Sequence, residues 1–292
     1  MTPAMIGSGR QRTSGNRWVG RIVAGGLLLL AVVGCAREGS EPWTGARWPT
    51  PLDLSSNETA AQWTIEVLDE FPHDAQAFTQ GLERLGDEQL LESLGLRGRS
   101  EIRIVGLADG DVVRSVPLPT AEFGEGVTVH QGTAVQLTWK AGVAHRWTVP
   151  DLTPLSPWRY AGEGWGLCAA GAGFVMSNGS ADLTYRSFDD FSVTSTVTVT
   201  LNGEPVDQLN ELECVDGVVV ANVWRHPELL IIDPGGAVIA VVDASALTDR
   251  VTVADPAGDV LNGIAAEPGG TFLLTGKHWP TVFRVALVAD QR

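Results

Sequence analysis

A short phrase recurs five times along the chain, as Gln80-Gly81-Leu82-Glu83, Glu125-Gly126-Val127-Thr128, Trp165-Gly166-Leu167-Cys168, Asn210-Glu211-Leu212-Glu213 and Asn262-Gly263-Ile264-Ala265. The intervals are 45, 40, 45 and 52 residues. Self-similarity at that period marks units that bury their faces only against their neighbours. Within each unit, alternating apolar runs separated by Gly, Asp, Asn and Pro read as short antiparallel strands, and no long helical stretch competes. A four-stranded unit of this length is one blade of a β-propeller, so the chain is expected to be all-β with five blades. A six-bladed ring is the alternative, but no sixth copy of the phrase is found. The third position of every copy is Leu, Val or Ile, and the second is small in four of five, as expected where inner strands converge on an axis. The first positions, Gln80, Glu125, Trp165, Asn210 and Asn262, should then ring one mouth of the channel.

The first repeat reads as strands Phe78 to Leu85, Gln89 to Leu94, Glu101 to Leu107 and Asp111 to Leu118. The fifth offers only three, beginning at Leu261, Thr271 and Thr281. Residues Trp63 to Glu70, which lie ahead of the first repeat and have strand character, are expected to complete the last blade. That would close the ring and cover an otherwise open strand edge. Residues 62–292 are read as one domain.

The segment before it reads differently. Residues 1–34 contain Arg10, Arg12, Arg17 and Arg21, no acid, and the apolar run Ile22 to Val33, the pattern of a secretion signal too short to span a bilayer stably. The run ends in Val32-Val33-Gly34-Cys35, similar to a bacterial lipoprotein signal, which implies cleavage before Cys35 and lipid on its sulfur. An ordinary cleaved signal with an incidental Cys is the alternative. Residues 35–61 carry Pro, Gly, Ser, Thr and Trp without periodicity and read as a tether. The domain is thus expected outside the cell, lipid-anchored at the outer side of the membrane or in a periplasm, touching the membrane through its anchor alone and acting as a monomer.

Charge narrows the partners. The chain carries a net −15, and loss of the four leader arginines leaves about −19. So acidic a surface disfavours nucleic acid and mildly attracts cationic peptide amino termini. Two cysteines remain in the domain, Cys168 and Cys214, which could pair in an oxidising compartment. Strict repeat alignment, however, sets Cys168 opposite Glu213. That favours two buried thiols and leaves the bond open.

In an antiparallel blade the start of the first strand and the end of the second lie at one edge. The second-strand ends read Leu137-Thr138-Trp139-Lys140, Met176-Ser177-Asn178, Asn222-Val223-Trp224 and Thr275-Gly276-Lys277-His278-Trp279. With Phe78, Gln80, Phe123, Glu125, Trp165, Asn210 and Asn262 they place aromatic rings, amides, one carboxylate and lysine around a single opening. Of 20 basic residues only Lys140 and Lys277 are lysine, and both fall in this set. Glu125 stands between Gly124 and Gly126 near aromatic rings, where desolvation raises a carboxyl pKa toward the range useful for proton transfer. A structural Glu bonded to neighbouring amides is the plainer alternative. The five histidines show no zinc-type spacing, no Gly-x-Ser-x-Gly elbow or phosphate loop is present, and neither Cys has a plausible His partner. No metal or cofactor is therefore expected.

The segments Phe71-Pro72-His73-Asp74, Ala77-Phe78-Thr79-Gln80-Gly81-Leu82, Leu91-Glu92-Ser93-Leu94-Gly95, Phe123-Gly124-Glu125-Gly126, Gln136-Leu137-Thr138-Trp139-Lys140, Gly164-Trp165-Gly166-Leu167, Leu209-Asn210-Glu211-Leu212-Glu213, Ala221-Asn222-Val223-Trp224, Leu261-Asn262-Gly263-Ile264 and Thr275-Gly276-Lys277 resemble the plant and bacterial type of glutaminyl-peptide cyclotransferase. The match runs in order from about residue 65 to the C-terminus. It implies a five-bladed propeller that converts the N-terminal glutamine of peptides or proteins to pyroglutamate and releases ammonia without a catalytic metal. It further implies that Glu125 is the acid/base and that Phe78, Gln80, Phe123, Trp139, Trp165, Asn210, Trp224 and Lys277 form the substrate pocket. The reaction carries its own nucleophile, because the substrate's α-amine attacks its own carboxamide. Donors from Gln80, a Trp and Lys277 would stabilise the oxyanion. A noncatalytic propeller lipoprotein that binds a peptide or sugar on its aromatic rim is the alternative function, and a metal-dependent lactonase-like hydrolase a second.

Overall fold

The computed structural model describes residues 59–289. The expected signal segment, Cys35 and nearly all of the expected tether lie outside them. Strand β1 (Ala61–Pro72) comes first. A first group follows: β2 (Thr79–Leu85), β3 (Gln89–Leu94), β4 (Glu101–Gly106) and β5 (Val112–Pro117). The second is β6 (Gly124–His130), β7 (Thr133–Thr138), β8 (Val143–Thr148) and β9 (Pro154–Arg159), and the third β10 (Leu167–Ala170), β11 (Gly173–Met176), β12 (Asp182–Ser187) and β13 (Val193–Thr198). A small hairpin, β14 (Thr200–Leu201) and β15 (Glu204–Pro205), precedes β16 (Leu209–Val215), β17 (Val218–Val223), β18 (Glu228–Ile232) and β19 (Val238–Asp243). A single turn of helix, α1 (Ser245–Thr248), leads to β20 (Leu261–Ala266), β21 (Thr271–Gly276) and β22 (Thr281–Ala289).

The fold is all-β. The first three groups are separate four-stranded sheets, each a simple antiparallel meander. Strand β1 pairs antiparallel with β22, Trp63 facing Ala289 and Pro72 facing Thr281. It thus supplies the fourth strand beside β20, β21 and β22. Its first residues also run parallel to β19, Ala61 against Ala240 through Thr64 against Asp243, which joins the last two groups into one eight-stranded sheet.

Successive strand side chains point to opposite faces, and each sheet spends its two faces on two different neighbours. In the first sheet Leu91, Ile102 and Ile104 pack with Val127, Ala134 and Trp147 of the second, while Leu82, Leu90 and Val105 pack with Ala265, Leu273 and Val282 near the C-terminus. The second sheet gives Val135, Leu137 and Ala144 to Leu167, Phe174 and Met176 of the third. The third and fourth groups meet through Cys168, Val175 and Leu183 against Leu212, Val219 and Ala221. The fourth meets the last through Val218, Val220 and Ile231 against Ile264, Phe272 and Leu274.

This arrangement corrects the cysteine reading. Cys168 and Cys214 are bonded, with Cα atoms 5.4 Å apart. Repeat alignment compares equivalent positions, but facing sheets meet through opposite faces, so an even position of one phrase opposes an odd position of the next. Leu212 and Cys214 look back at the third sheet, where Cys168 waits.

Two polar staples tie the first sheet to the C-terminal strands. At one, His73 Nδ1 lies 2.7 Å from the Trp279 carbonyl and Nε2 lies 2.9 Å from Glu92 Oε1. A carbonyl and a carboxylate only accept, so both ring nitrogens donate and the buried His73 is an imidazolium. Arg103 Nε and Thr79 Oγ1 complete the bonds to Glu92, at 2.8 and 2.7 Å. At the other, Glu267 accepts from Arg84 and from Arg284, the latter through Nε at 2.7 Å and Nη2 at 3.0 Å.

Candidate active site

Four of the five phrases are β-bulges. Pairing slips by one residue between Thr79 and Gly81, Gly124 and Val127, Leu209 and Leu212, and Leu261 and Ile264. A bulge leaves a residue out of the ladder and re-aims its side chain, which is how Gln80, Glu125 and Asn210 turn out of their sheets. The small second position follows from crowding. A Cβ on Gly126 would lie 2.6 Å from Leu167 N and 2.7 Å from the Trp165 carbonyl, and the Gly126 N–H donates to that same carbonyl at 2.6 Å. Neighbouring inner strands touch backbone to backbone there.

The exception to smallness, Glu211, is fully buried, and its carboxylate accepts from Leu82 N at 3.3 Å and Ile264 N at 2.9 Å, joining inner strands of three groups. Glu83 sits nearby, accepting from Thr128 Oγ1 at 2.8 Å and Val129 N at 3.2 Å. Burial pushes the Glu83 carboxyl up to about 7, against the pull of those bonds. For His73, burial works downward, but the Glu92 charge and hydrogen bond outweigh it and the net shift is upward. Both groups bind their proton more tightly folded than unfolded. The stability this confers is complete below about pH 4.5 for Glu83 and is lost as pH rises through about 7. The melting temperature is therefore expected to be lower at pH 8.5 than at pH 5.5 by several degrees, and Glu83→Gln should reduce the difference without removing it, since the upward shift of His73 remains; a pH-independent melting curve in the wild type would contradict this.

Above this floor opens a cavity of about 260 Å³ lined by Phe78, Gln80, Phe123, Glu125, Trp139, Trp165, Asn210, Trp224, Gly258 and Lys277. Nine of the ten catalytic and substrate positions read from the sequence lie on it. Asn262 does not; it is fully buried and donates to the Thr79 carbonyl at 3.0 Å, so its bulge is used to hold the neighbouring strand. Gly258 comes from the loop after α1, within the longest interval between phrases. Lys140 is half exposed, its Nζ lying 4.0 Å from the Trp139 ring centre and 3.2 Å from Glu163 Oε1. His278 packs its ring 5.2 Å from that of Phe78 and bonds Asp259 at 2.7 Å.

The walls are an edge-to-face lattice. Phe78 meets Phe123 at 6.0 Å, Phe123 meets Trp139 at 5.8 Å, and Trp165 meets Trp224 at 5.7 Å and 90°. Such contacts fix ring orientation as well as burying area. Glu163, which the sequence reading passed over, accepts the indole N–H of Trp139 at 2.6 Å and that of Trp165 at 3.1 Å on one oxygen.

Glu125 is only 4% exposed. Burial raises its carboxyl pKa well above the ordinary 4.5; the Lys277 charge and a hydrogen bond from the Gln80 side chain pull it down, and the Glu163 charge adds to the rise. Lys277 is equally buried, its Nζ 5.0 Å from the Phe78 ring centre. Burial lowers its pKa to about 8, with Glu125 opposing and Arg225 assisting. Glu125 Oε2 and Gln80 Oε1 have no protein hydrogen-bond partner among the described residues. Buried polar atoms without partners are costly, and these two belong to residues that line the cavity, where a ligand can meet them.

The sequence profile of the family described as Glutamine cyclotransferase matches residues 43–287. A glutaminyl-peptide cyclotransferase of Arabidopsis thaliana is 35% identical over 227 residues, 76% of this chain and 71% of that protein. The crystal structure of the Myxococcus xanthus glutaminyl cyclase aligns at 38% identity with a TM-score of 0.75, over 80% of this chain and 100% of that one.

Proposed function

This chain belongs to the glutamine cyclotransferase family and is a glutaminyl-peptide cyclotransferase acting on peptides with N-terminal glutamine, and from that premise we propose that Glu125 moves the proton of the reaction. The observation that carries the proposal is the buried Glu125 carboxyl with one unpartnered oxygen, set between Gln80 and Lys277 on the floor of an aromatic cavity.

The neutral α-amine of the terminal residue attacks its own side-chain carboxamide carbon. A ring C–N bond forms, the C–NH2 bond breaks, and a proton passes from the attacking nitrogen to the departing one, which leaves as ammonia. Five-membered closure is intramolecular, so the cavity's task is to hold the side chain folded back on the amine. Glu125 accepts the amine proton as the bond forms and returns it to the leaving nitrogen. Burial raises its pKa from the ordinary carboxylate range, which makes the ionised carboxylate a stronger base toward the amine. Gln80 Oε1 is suited to receive an N–H of the substrate. The indole N–H groups of Trp139 and Trp165 are committed to Glu163, so the Trp that joins Gln80 and Lys277 as a donor to the oxyanion is Trp224.

The assay that tests this is ammonia release from a Gln-initiated dipeptide in the presence of chelator; no release above the spontaneous rate would overturn it. Lys277→Met should lower turnover at pH 7 about tenfold, as for loss of one charged hydrogen bond. It should also abolish the alkaline fall in rate near pH 8 and raise the pH of the acid limb, because the charge that holds down the Glu125 pKa is gone. An unchanged pH profile would remove Lys277 from the mechanism.

We further propose that the sheets are five blades of one ring, β2–β5, β6–β9, β10–β13, β16–β19 and β20–β22 with β1. The packing of the first sheet against the C-terminal strands supports this reading. Export, lipid attachment at Cys35, a tether up to about residue 61 and action as a monomer at the outer side of a bacterial membrane belong to the same proposal. Export, attachment and tether rest on the leader and on Val32-Val33-Gly34-Cys35.

A further inference from the structure

Glu163 lies in the loop between β9 and β10, touches no residue of the reacting centre, and yet holds two walls of the cavity. Its Oε2 accepts the Trp139 and Trp165 indole protons at 2.6 and 3.1 Å, while Oε1 meets Lys140 Nζ at 3.2 Å. The two tryptophans come from different sheets, Trp139 just after β7 and Trp165 just before β10. The loop backbone is pinned on the same two sides: Gly164 N donates to the Trp139 carbonyl at 3.0 Å and Trp165 N to the Ser177 carbonyl at 3.1 Å. Three hydrogen bonds keep the carboxylate ionised against the upward push of burial. A charged acceptor shared by two donors is stronger and more directional than a neutral one.

We propose that Glu163 is a positioning residue: its carboxylate clamps the Trp139 and Trp165 indoles in one orientation, and so sets the cavity to receive the terminal glutamine before chemistry begins. This rests on the cavity being the substrate site. Because the clamp acts on the walls, its loss falls mainly on binding; removing the Glu163 charge also takes away the smallest of the pushes on the Glu125 carboxyl, so the acid limb of the pH profile should move slightly downward while kcat at its optimum holds. Lys140 steadies the carboxylate from the solvent side and takes no part in the cavity itself.

The test combines Glu163→Gln, which keeps shape and removes charge, with Trp139→Phe, which keeps a ring and removes the N–H. In 15N-tryptophan-labelled full-length protein, two of the ten indole N–H signals should move in Glu163→Gln. With a Gln-initiated dipeptide its KM should rise about tenfold while kcat stays within about threefold. Glu163→Asp should recover part of the loss, and in Trp139→Phe the further effect of Glu163→Gln should shrink markedly. Unmoved indole signals, an unchanged KM, full additivity of the two substitutions, or a kcat that falls in step with kcat/KM would each overturn the inference. Wild-type protein that released no ammonia would overturn the underlying functional reading instead, and the unchanged indole pattern would tell the two failures apart.

Discussion

Glu125→Gln is expected to slow cyclisation of a Gln-initiated dipeptide by about 100-fold or more, the usual worth of a positioned proton shuttle. The substitution keeps the shape of the side chain, and every other wall of the cavity stays in place, so KM should change far less than kcat. Folding should not suffer. The carboxylate is buried, and burial disfavours its charged form, so a neutral amide relieves a cost and the melting temperature should hold or rise. The pairing of a large rate loss with undiminished stability separates chemistry from misfolding. Lys277 offers an internal check. Glu125 is what holds its pKa up against burial and Arg225, so in Glu125→Gln the Lys277 pKa should drop below about 8. Near-normal turnover in this variant would exclude Glu125 as the shuttle.

Removing the Cys168–Cys214 bond should produce the largest loss of stability. The bond spans 46 residues of sequence, and closing a loop of that length restricts the unfolded chain by roughly 4 kcal/mol in the chain-entropy account. For a domain of this size that corresponds to a fall of about 10 °C in melting temperature in Cys168→Ala/Cys214→Ala. Neither sulfur lines the cavity, so activity well below the melting temperature should persist. A shift of less than about 2 °C would show that facing-sheet packing alone holds the third and fourth groups together.

These two sites differ in how they could be read from the chain. Gln80, Glu125, Asn210 and the second-strand ends carrying Trp139, Trp224 and Lys277 were legible because hairpin geometry is local: a strand start and the next strand's end share an edge whatever lies around them. The three strands at Leu261, Thr271 and Thr281 were legible for the same reason. What escaped was decided between sheets. The cysteine bond depends on opposite faces meeting, Asn262 on a neighbour's carbonyl lying within reach, and Glu163 and Gly258 on the path of loops that carry no periodic signal. Glu211 looked like a lapse in a small-residue position, and its reach to Leu82 and Ile264 is visible only once three inner strands stand together.

The pairing of β1 with β22 sets a clock on biogenesis. The first strand among the described residues has its antiparallel partner in the last nine of them, and His73, just behind β1, donates to the Trp279 carbonyl. Contacts of such long sequence separation form late and slowly. A nascent or truncated chain that stops before Thr281 therefore carries β1 without its antiparallel partner and β21 with an open edge, the condition in which strands seek other chains. Until residues 281–289 are made, β19 is the one described strand β1 can join, and only through Ala61 to Thr64.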